Sequence, residues 1–360
     1  MAEKIYHQLC ETMKNRGGMF PGMDIPEFYD LAEVLFSPDE AMISVGLPRG
    51  IHTAGEIANH MEKDVEWVAP LLEAMADKGL CFSIKKSDEP FYGGPSFVPG
   101  IFEYQFMRGT DTQRDRTLAR LIQKYKTAVD ANRKPRENVF PAMRVIAINQ
   151  AVKAENQIHT YDQVKRYIET SAPLAVSTCY CRHQAKLVDE ASHCGNPDEV
   201  CIQFGAGAAF VIERKMGRSI SRAEAMEILD EAENAGLVHC TNNRQEIDFL
   251  CNCCSCHCVI LKNAKAQPKP GLAVNSGFQP FLNAELCESC EICMERCPMG
   301  AVQMDESSFP KMDLDHCIGC GLCATGCPTE AILMNERLGI PVPPANNKAL
   351  KKAIRESLAS

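Results

Sequence analysis

Residues 287–298 read CESCEICMERCP, and residues 317–328 read CIGCGLCATGCP. Both are C-x2-C-x2-C-x3-C-P, and every cysteine of the second copy stands 30 residues after its counterpart in the first. The likeness continues beyond the cysteines, because MGAVQM (299–304) aligns with TEAILM (329–334). The segment is therefore a duplicated unit. Its spacing has a chemical reason. A cubane iron–sulfur cluster has four iron corners, each taking one thiolate. Three cysteines separated by two residues wrap three corners with one short loop, and the fourth corner needs a more distant residue. Zinc also uses C-x2-C pairs, but zinc sites rarely use three cysteines at this spacing plus C-P, twice at one offset.

Over roughly residues 278–335 the chain resembles the bacterial two-cluster ferredoxins. In that family the last cysteine of each run serves the other cluster. The resemblance thus implies one [4Fe–4S] cluster on Cys287, Cys290, Cys293 and Cys327, and a second on Cys317, Cys320, Cys323 and Cys297. It also implies low-potential, one-electron transfer between two closely spaced cubanes. Gly319 and Gly321 are expected to let the backbone approach the sulfurs and donate N–H groups to them. The same stretch holds nine acidic residues against Arg296 and Lys311, a balance of −7 within a chain of net charge −9. An acidic face around an electron donor suits steering toward a basic partner; a merely solvated surface fits the same numbers.

The totals place this unit in context. A chain of 360 residues is expected to form two or three domains. With 45% hydrophobic residues it can build a sizeable core, so its 20 cysteines are too many for packing alone. The N-terminal MAEKIYHQLCETMKNRGG (1–18) has no basic stretch leading into an apolar run, and no run of 18 apolar residues occurs. The expectation is a cytoplasmic protein without a membrane span, whose reduced thiols are available to metals. Net negative charge argues against nucleic acid as the main partner.

A second cysteine field spans 179–258. It opens with STCYCRHQAK and ends with FLCNCCSCHC, in which residues 251–258 include five cysteines. Candidate ligands for one or two further [4Fe–4S] clusters are Cys179, Cys181, Cys194, Cys201, Cys251, Cys253, Cys254, Cys256 and Cys258. If 249–260 is extended, Cys251 and Cys253 share one face while Cys254, Cys256 and Cys258 share the other. Cys179, Cys181, Cys194 and Cys201 could form a four-thiolate set. A zinc site helped by His183, His193 or His257, plain packing, and a thiol switch are competing readings. Arg182 and His183 are placed by adjacency to hydrogen-bond cluster sulfur. Together CYCRH, SRAEAMEILDEAENAGLVH and CNCCSCHC, with the linker that follows, resemble large 4Fe-4S-binding proteins of anaerobes that carry a terminal two-cluster ferredoxin domain. That resemblance implies an electron-transfer component of a larger oxidoreductase system.

The front end resembles a winged helix-turn-helix. IHTAGEIANHMEKDVEWVAPLLEAMADKG (51–79) has a capping-box pair, Thr53 and Glu56, and a hairpin is expected after Gly79. Residues 52–79 hold six acids against Lys63 and Lys78, so the expected helix would repel phosphate, and a structural or protein-docking role is expected instead. Helices are also expected over 110–131, over 161–169 and from Ser221 to about Asn234, and a strand over 142–150. NAKAQPKPGLAVNSG (263–277) reads as a linker, and ALKKAIRESLA (349–359) as a helix with Leu350, Ile354 and Leu358 on one stripe. GAGAAF (205–210) starts like a dinucleotide fingerprint but has Phe210 where Gly or Ala belongs. No catalytic constellation is defensible.

The expected architecture is α+β: a winged-helix-like region (1–108), a cysteine-rich α+β domain (109–262), a two-cluster ferredoxin domain (278–335) and a tail helix (336–360). The expected function is an iron–sulfur protein relaying single electrons between a partner oxidoreductase, such as a flavoprotein, and another carrier or catalytic subunit. The alternatives are an enzyme with an open iron corner in its central region, or a redox-sensing winged-helix regulator.

Overall fold

The computed structural model describes residues 2–133, 139–148 and 164–359 and mixes helix with sheet. Two compact units interleave along the chain. The first comprises Met1–Pro135, Ser177–His193 and Ala208–Ser219; the second comprises Arg136–Val176, Cys194–Gly207 and Ile220–Ser360.

In the first unit Thr53 starts helix Ala54–Met61. Its Oγ1 accepts from the Glu56 N–H at 3.2 Å, while the Thr53 N–H donates to Glu56 Oε2 at 2.9 Å. Glu62 turns left-handed, and helix Val65–Asp77 follows with Val68, Leu72, Met75 and Ala76 buried. Gly79, at φ +72°, leads the chain toward the hairpin Phe82–Lys86/Glu89–Gly93, whose second strand also pairs with His52–Thr53. Helix Gln113–Asn132, capped by Thr112 and Asp115, packs on helix Pro26–Leu35 in this same unit. Its Tyr125 joins Phe28, Phe97 and Phe102 in an aromatic core. Cys10 and Cys81 are core residues here, and burial pushes the Cys81 thiol up to about 12.

The second unit contains a sheet in which Met143–Val145, Val238–Asn242, Phe249–Cys253 and Cys201–Phe204 lie side by side, all antiparallel. The expected strand over 142–150 is shorter, and its residues 149–150 lie outside the described residues. The expected helix over 161–169 is described as Val164–Thr170, with 161–163 likewise outside. Ser221 Oγ accepts from the Glu224 N–H at 3.1 Å and starts helix Arg222–Asn234. That helix buries Ala225, Ile228, Leu229 and Ala232 against Val200, Ile202 and Leu250.

A second core in this unit joins the sheet to the duplicated motif, with Val145, Val238 and Leu261 packed among Phe278, Ile318 and Leu322. The segment read as a linker is built into that core. It forms helices Val259–Lys265 and Pro270–Ala273, with Pro270, Gly271 and Val274 buried. Gly271 permits this because a Cβ there would collide with the Cys317 carbonyl oxygen, and its N–H donates to the Asp315 carbonyl at 2.8 Å. The tail helix Asn347–Ala359 buries Leu350, leaves Leu358 46% exposed, and accepts the Phe140 N–H on Ser357 Oγ at 2.8 Å. Among the described residues no helix is long and apolar enough to cross a membrane.

The first unit also holds a buried cation. Arg214 donates to Glu73 at 2.7 Å, Asp77 at 3.0 Å and Ser83 Oγ at 2.9 Å, and Tyr92 donates to the same Glu73. The Arg214 hydrogen bond outweighs partial burial and holds the Glu73 carboxyl below its usual range. This contribution to stability is present above the unfolded carboxylate pKa of about 4.3 and fades as pH falls through the lower folded value. Arg214→Leu should cost about 2 kcal/mol at neutral pH, less than a fully enclosed pair because both carboxylates reach solvent. Urea titrations at neutral and acidic pH check this: the gap between wild type and variant should narrow in acid, and an unchanged gap contradicts it.

Candidate metal centres

The duplication is visible in the backbone as well as the cysteines. Helices Ile292–Glu295 and Leu322–Thr325 occupy equivalent places 30 residues apart. Each is preceded by left-handed residues at matching positions: Ser289 with Gly319 (φ +54° and +69°), and Glu291 with Gly321 (φ +64° and +87°). Gly300 and Glu330 (φ +65° and +53°) match after the helices. The two loops thus follow one path even where the side chains differ. Left-handed backbone costs a non-glycine residue about 1–2 kcal/mol, so Ser289 and Glu291 are held there by the surrounding loop.

Strand pairing then exchanges the copies. Phe278–Leu282, at the start of the first copy, pairs with Ile332–Glu336 at the end of the second; Val302–Met304 of the first pairs with Pro310–Met312 of the second. This carries the last cysteine of each run to the other loop. One cavity is lined by Cys287, Cys290, Cys293 and Cys327. The other is lined by Cys297, Cys317, Cys320 and Cys323. The structure therefore brings together the two sets of four that the resemblance implied.

The remaining walls are largely apolar: Ile292, Met304, Pro310 and Ile332 around the first, and Met299, Val302, Ile318 and Met334 around the second. Burial pushes the Cys293 and Cys317 thiols up, the Cys320 thiol to about 12 and the Cys323 thiol well above its usual range. Such a pocket resists bare thiolates, a cost that a cationic centre shared by the four sulfurs would offset. Backbone N–H groups are aimed at the sulfurs. The Ala301 N–H donates to Cys297 Sγ at 3.2 Å, Gly319 serves Cys317 and Leu322 serves Cys320. Burial alone would raise Cys327, but the Thr329 hydroxyl and the N–H groups of Thr329, Ala331 and Ile332 bring its thiol below the usual range. Soft sulfur donors in fours, in an apolar pocket with N–H groups on the sulfurs, fit a [4Fe–4S] cluster.

The two cavities differ in exposure. Cys290 is exposed, and Glu288 and Glu291 line the first cavity. Phe281 and Leu286 of the same domain are 45% and 48% exposed. All nine acids of the 278–335 segment are exposed.

The middle cysteines are redistributed relative to the alternation expected for an extended 249–260. The strand stops at Cys253; a turn follows, and Cys258 becomes the N-cap of helix Val259–Lys265. Face alternation therefore applies to Cys251 and Cys253 only. On the sheet Cys240 lies directly across from Cys251, and Ile202 across from Leu250, which puts Cys201 on the same rung. Thiol hydrogen bonds link Cys251 to Cys201 and Cys253, and Cys253 to Cys240 and Cys258. Cys240 is fully buried and was absent from the candidate ligands. A signal for it lies in the sequence, since Cys240 stands inside a short strand-like run, LVHCTN, that can pair with FLCNC.

Cys194, Cys254, Cys256 and His257 make a separate group, with their ligand atoms all within 4.8 Å of one another. The structure thus assigns Cys194 and Cys201 to different neighbours. Cys179 and Cys181 lie in the first compact unit, as do His193, Arg182 and His183. His183 is a buried structural histidine whose Nε2 is 2.8 Å from the Thr110 carbonyl oxygen.

The repeat geometry makes opposite predictions for two of its left-handed positions, one in each copy. A Cβ on Gly319 would fall onto the Phe278 carbonyl oxygen and Ser276 Oγ, so Gly319→Ala should lower the melting temperature and loosen metal retention. Glu291→Gly should leave metal content intact and stabilise by up to about 1 kcal/mol. Thermal melts with iron analysis check both, and an unaffected Gly319→Ala protein contradicts the geometry.

Residues 286–331 match the family model of the 4Fe-4S dicluster domain. No curated protein matches the chain. The matched segment contains all eight cysteines of the two motifs, and the chain carries a ferredoxin-like 4Fe-4S domain toward its C-terminus.

Proposed function

We propose that this chain relays single electrons between a partner oxidoreductase, such as a flavoprotein, and a second carrier or catalytic subunit. The ferredoxin-type domain supports an iron–sulfur electron-transfer role in general. The observation that carries the finer reading is the pair of interleaved cavities, each lined by three cysteines of one run and one of the other. On this reading Cys287, Cys290, Cys293 and Cys327 hold one [4Fe–4S] cluster, and Cys297, Cys317, Cys320 and Cys323 the second. When bound, such a cluster accepts and releases one electron at a potential set by hydrogen bonds, burial and net charge. The residues of the chain set those terms. Ala301, Gly319 and Leu322 aim N–H groups at sulfur, Met and Ile side chains exclude water, and the exposed acids make the surroundings electronegative.

The thiols of Cys201, Cys240, Cys251, Cys253 and Cys258 are the proposed ligand pool for a third cluster. Cys240, Cys253 and Cys258 belong to the same apolar core as Ile318 and Leu322, Cys251 packs on it, Cys201 reaches Cys251, and Cys320 is close enough to act electrostatically on Cys240. That proximity supports a chain of centres from the sheet to the acidic tip. The exposed Phe281 and Leu286, in the same segment as the exposed Glu285, Glu288 and Glu291, suit a basic redox partner that brings a small apolar contact. The helices Ala54–Met61 and Val65–Asp77 with their three-stranded sheet are read as a winged-helix-like module. Glu62, Asp64 and Glu66 are exposed on it, which favours a protein-docking role over DNA.

The test of ligand exchange is Cys327→Ser. Although Cys327 belongs to the second motif, its loss should remove or alter the cluster of the first motif, with iron falling by up to about four per chain and the second cluster's spectrum retained. Selective loss of the second cluster contradicts the assignment. The acidic tip is tested with cytochrome c as a basic one-electron acceptor. Its reduction should slow as ionic strength rises, and slow several-fold in Glu285→Lys/Glu288→Lys; a salt-independent rate contradicts the docking face.

A further inference from the structure

We infer that Cys194, Cys254, Cys256 and His257 form a mononuclear zinc site, distinct from the iron–sulfur centres. Three sulfurs and one imidazole nitrogen have converged until every pair of ligand atoms lies within 4.8 Å. Four ligands around one tetrahedral Zn²⁺, with Zn–S near 2.3 Å and Zn–N near 2.0 Å, stand about 3.5–3.8 Å from one another. The Cys254 Sγ to His257 Nδ1 distance is 3.9 Å, close to such an edge. A cubane places each ligand on its own iron and spreads the four more widely than ligands of a single ion, so this set is too tight for [4Fe–4S]. Three cysteines with one histidine is also a common structural zinc donor set, whereas the bacterial-type cubane runs use cysteine alone.

The surroundings suit a closed structural site. Asn196 Nδ2 donates to Cys194 Sγ at 3.2 Å, a sulfur hydrogen bond of the kind that orients a ligand and eases its negative charge. Four protein ligands leave no open position for a substrate. Cys254 is buried, Cys194 and His257 are half-buried, and Cys256 is exposed. Binding would release the protons of the thiols that bind as thiol and leave a Cys3His site of net charge −1. Its structural effect follows from chain position. Cys194 is joined to the turn immediately after strand Phe249–Cys253, so the ion would fix the end of the strand carrying Cys251 and Cys253 and the start of the helix capped by Cys258. CNCCSCHC thereby divides between two roles, with Cys254, Cys256 and His257 on zinc and Cys251, Cys253 and Cys258 in the buried thiol group.

The test is metal analysis of the full chain, produced with iron and zinc both supplied and purified anaerobically. About one zinc per chain is expected. Cys254→Ser/Cys256→Ser should lower it at least tenfold while iron is unchanged. Zinc-edge X-ray absorption on the wild type should give three sulfurs and one nitrogen, and His257→Cys should keep the zinc and shift it to four sulfurs. These spectra decide the matter even if the double variant fails to fold. Absence of zinc, a shell dominated by oxygen, or a loss of about four irons in the double variant would overturn the zinc assignment; the last would make these residues cubane ligands and leave the electron-relay reading standing.

Discussion

Antiparallel pairing between the two copies of the repeat is the constraint on which the ferredoxin-like domain depends. Each copy supplies a short strand, a cysteine loop, a four-residue helix and a second strand, and no copy is complete alone. Because Phe278–Leu282 pairs with Ile332–Glu336, Cys327 arrives beside the loop of Cys287, Cys290 and Cys293. The complementary pairing of Val302–Met304 with Pro310–Met312 belongs to the same exchange, and Cys297 lines the opposite cavity. Sulfur convergence and strand pairing are one event. The small size of the helices and strands explains why bound metal is expected to carry much of the stability of this segment.

The domain is also continuous with the sheet of its unit. Ile148 donates its N–H to the Cys320 carbonyl at 3.1 Å, and Val145 donates to the Val274 carbonyl at 3.0 Å. Arg337 donates to the Cys317 carbonyl at 3.0 Å, and Ser276 Oγ to the Gly319 carbonyl at 2.6 Å. These bonds come from segments on either side of the motif and clamp the second cysteine loop from without. The cavity lined by Cys297, Cys317, Cys320 and Cys323 is consequently the inner one, toward the buried thiols of the sheet. The cavity bearing exposed Cys290 is the outer one. Both cavities lie in one compact unit, so their separation and burial are set by packing rather than by a tether.

Much of this was legible in the sequence where the signal was local or periodic. The cysteine spacing, the 30-residue repeat and the capping pairs Thr53/Glu56 and Ser221/Glu224 all depend on neighbours within a few residues or on an internal copy. Ser289, Glu291 and Glu330 carried no sign of left-handed backbone, because the loop rather than the residue type imposes it. The linker reading of 263–277 failed for a tertiary reason: Pro and Gly also serve close packing, and Gly271 lies against the Cys317 carbonyl. The central thiols were unreadable for a related reason. Their partners are set by cross-strand register and by the end of a strand at Cys253, so Cys240 joins Cys251 and Cys253 while Cys254 and Cys256 turn away to Cys194 and His257.

The most direct test of the account is electron paramagnetic resonance of the anaerobically purified wild-type chain at full reduction, with iron and acid-labile sulfide counted on the same sample. Interleaved cavities within one small domain predict at least eight irons per chain and about twelve if the buried thiols also hold a cubane, with spectra broadened by coupling between neighbouring reduced clusters. Four irons or fewer with a single isolated spin would contradict it, because the two cavities could not then both be cluster sites.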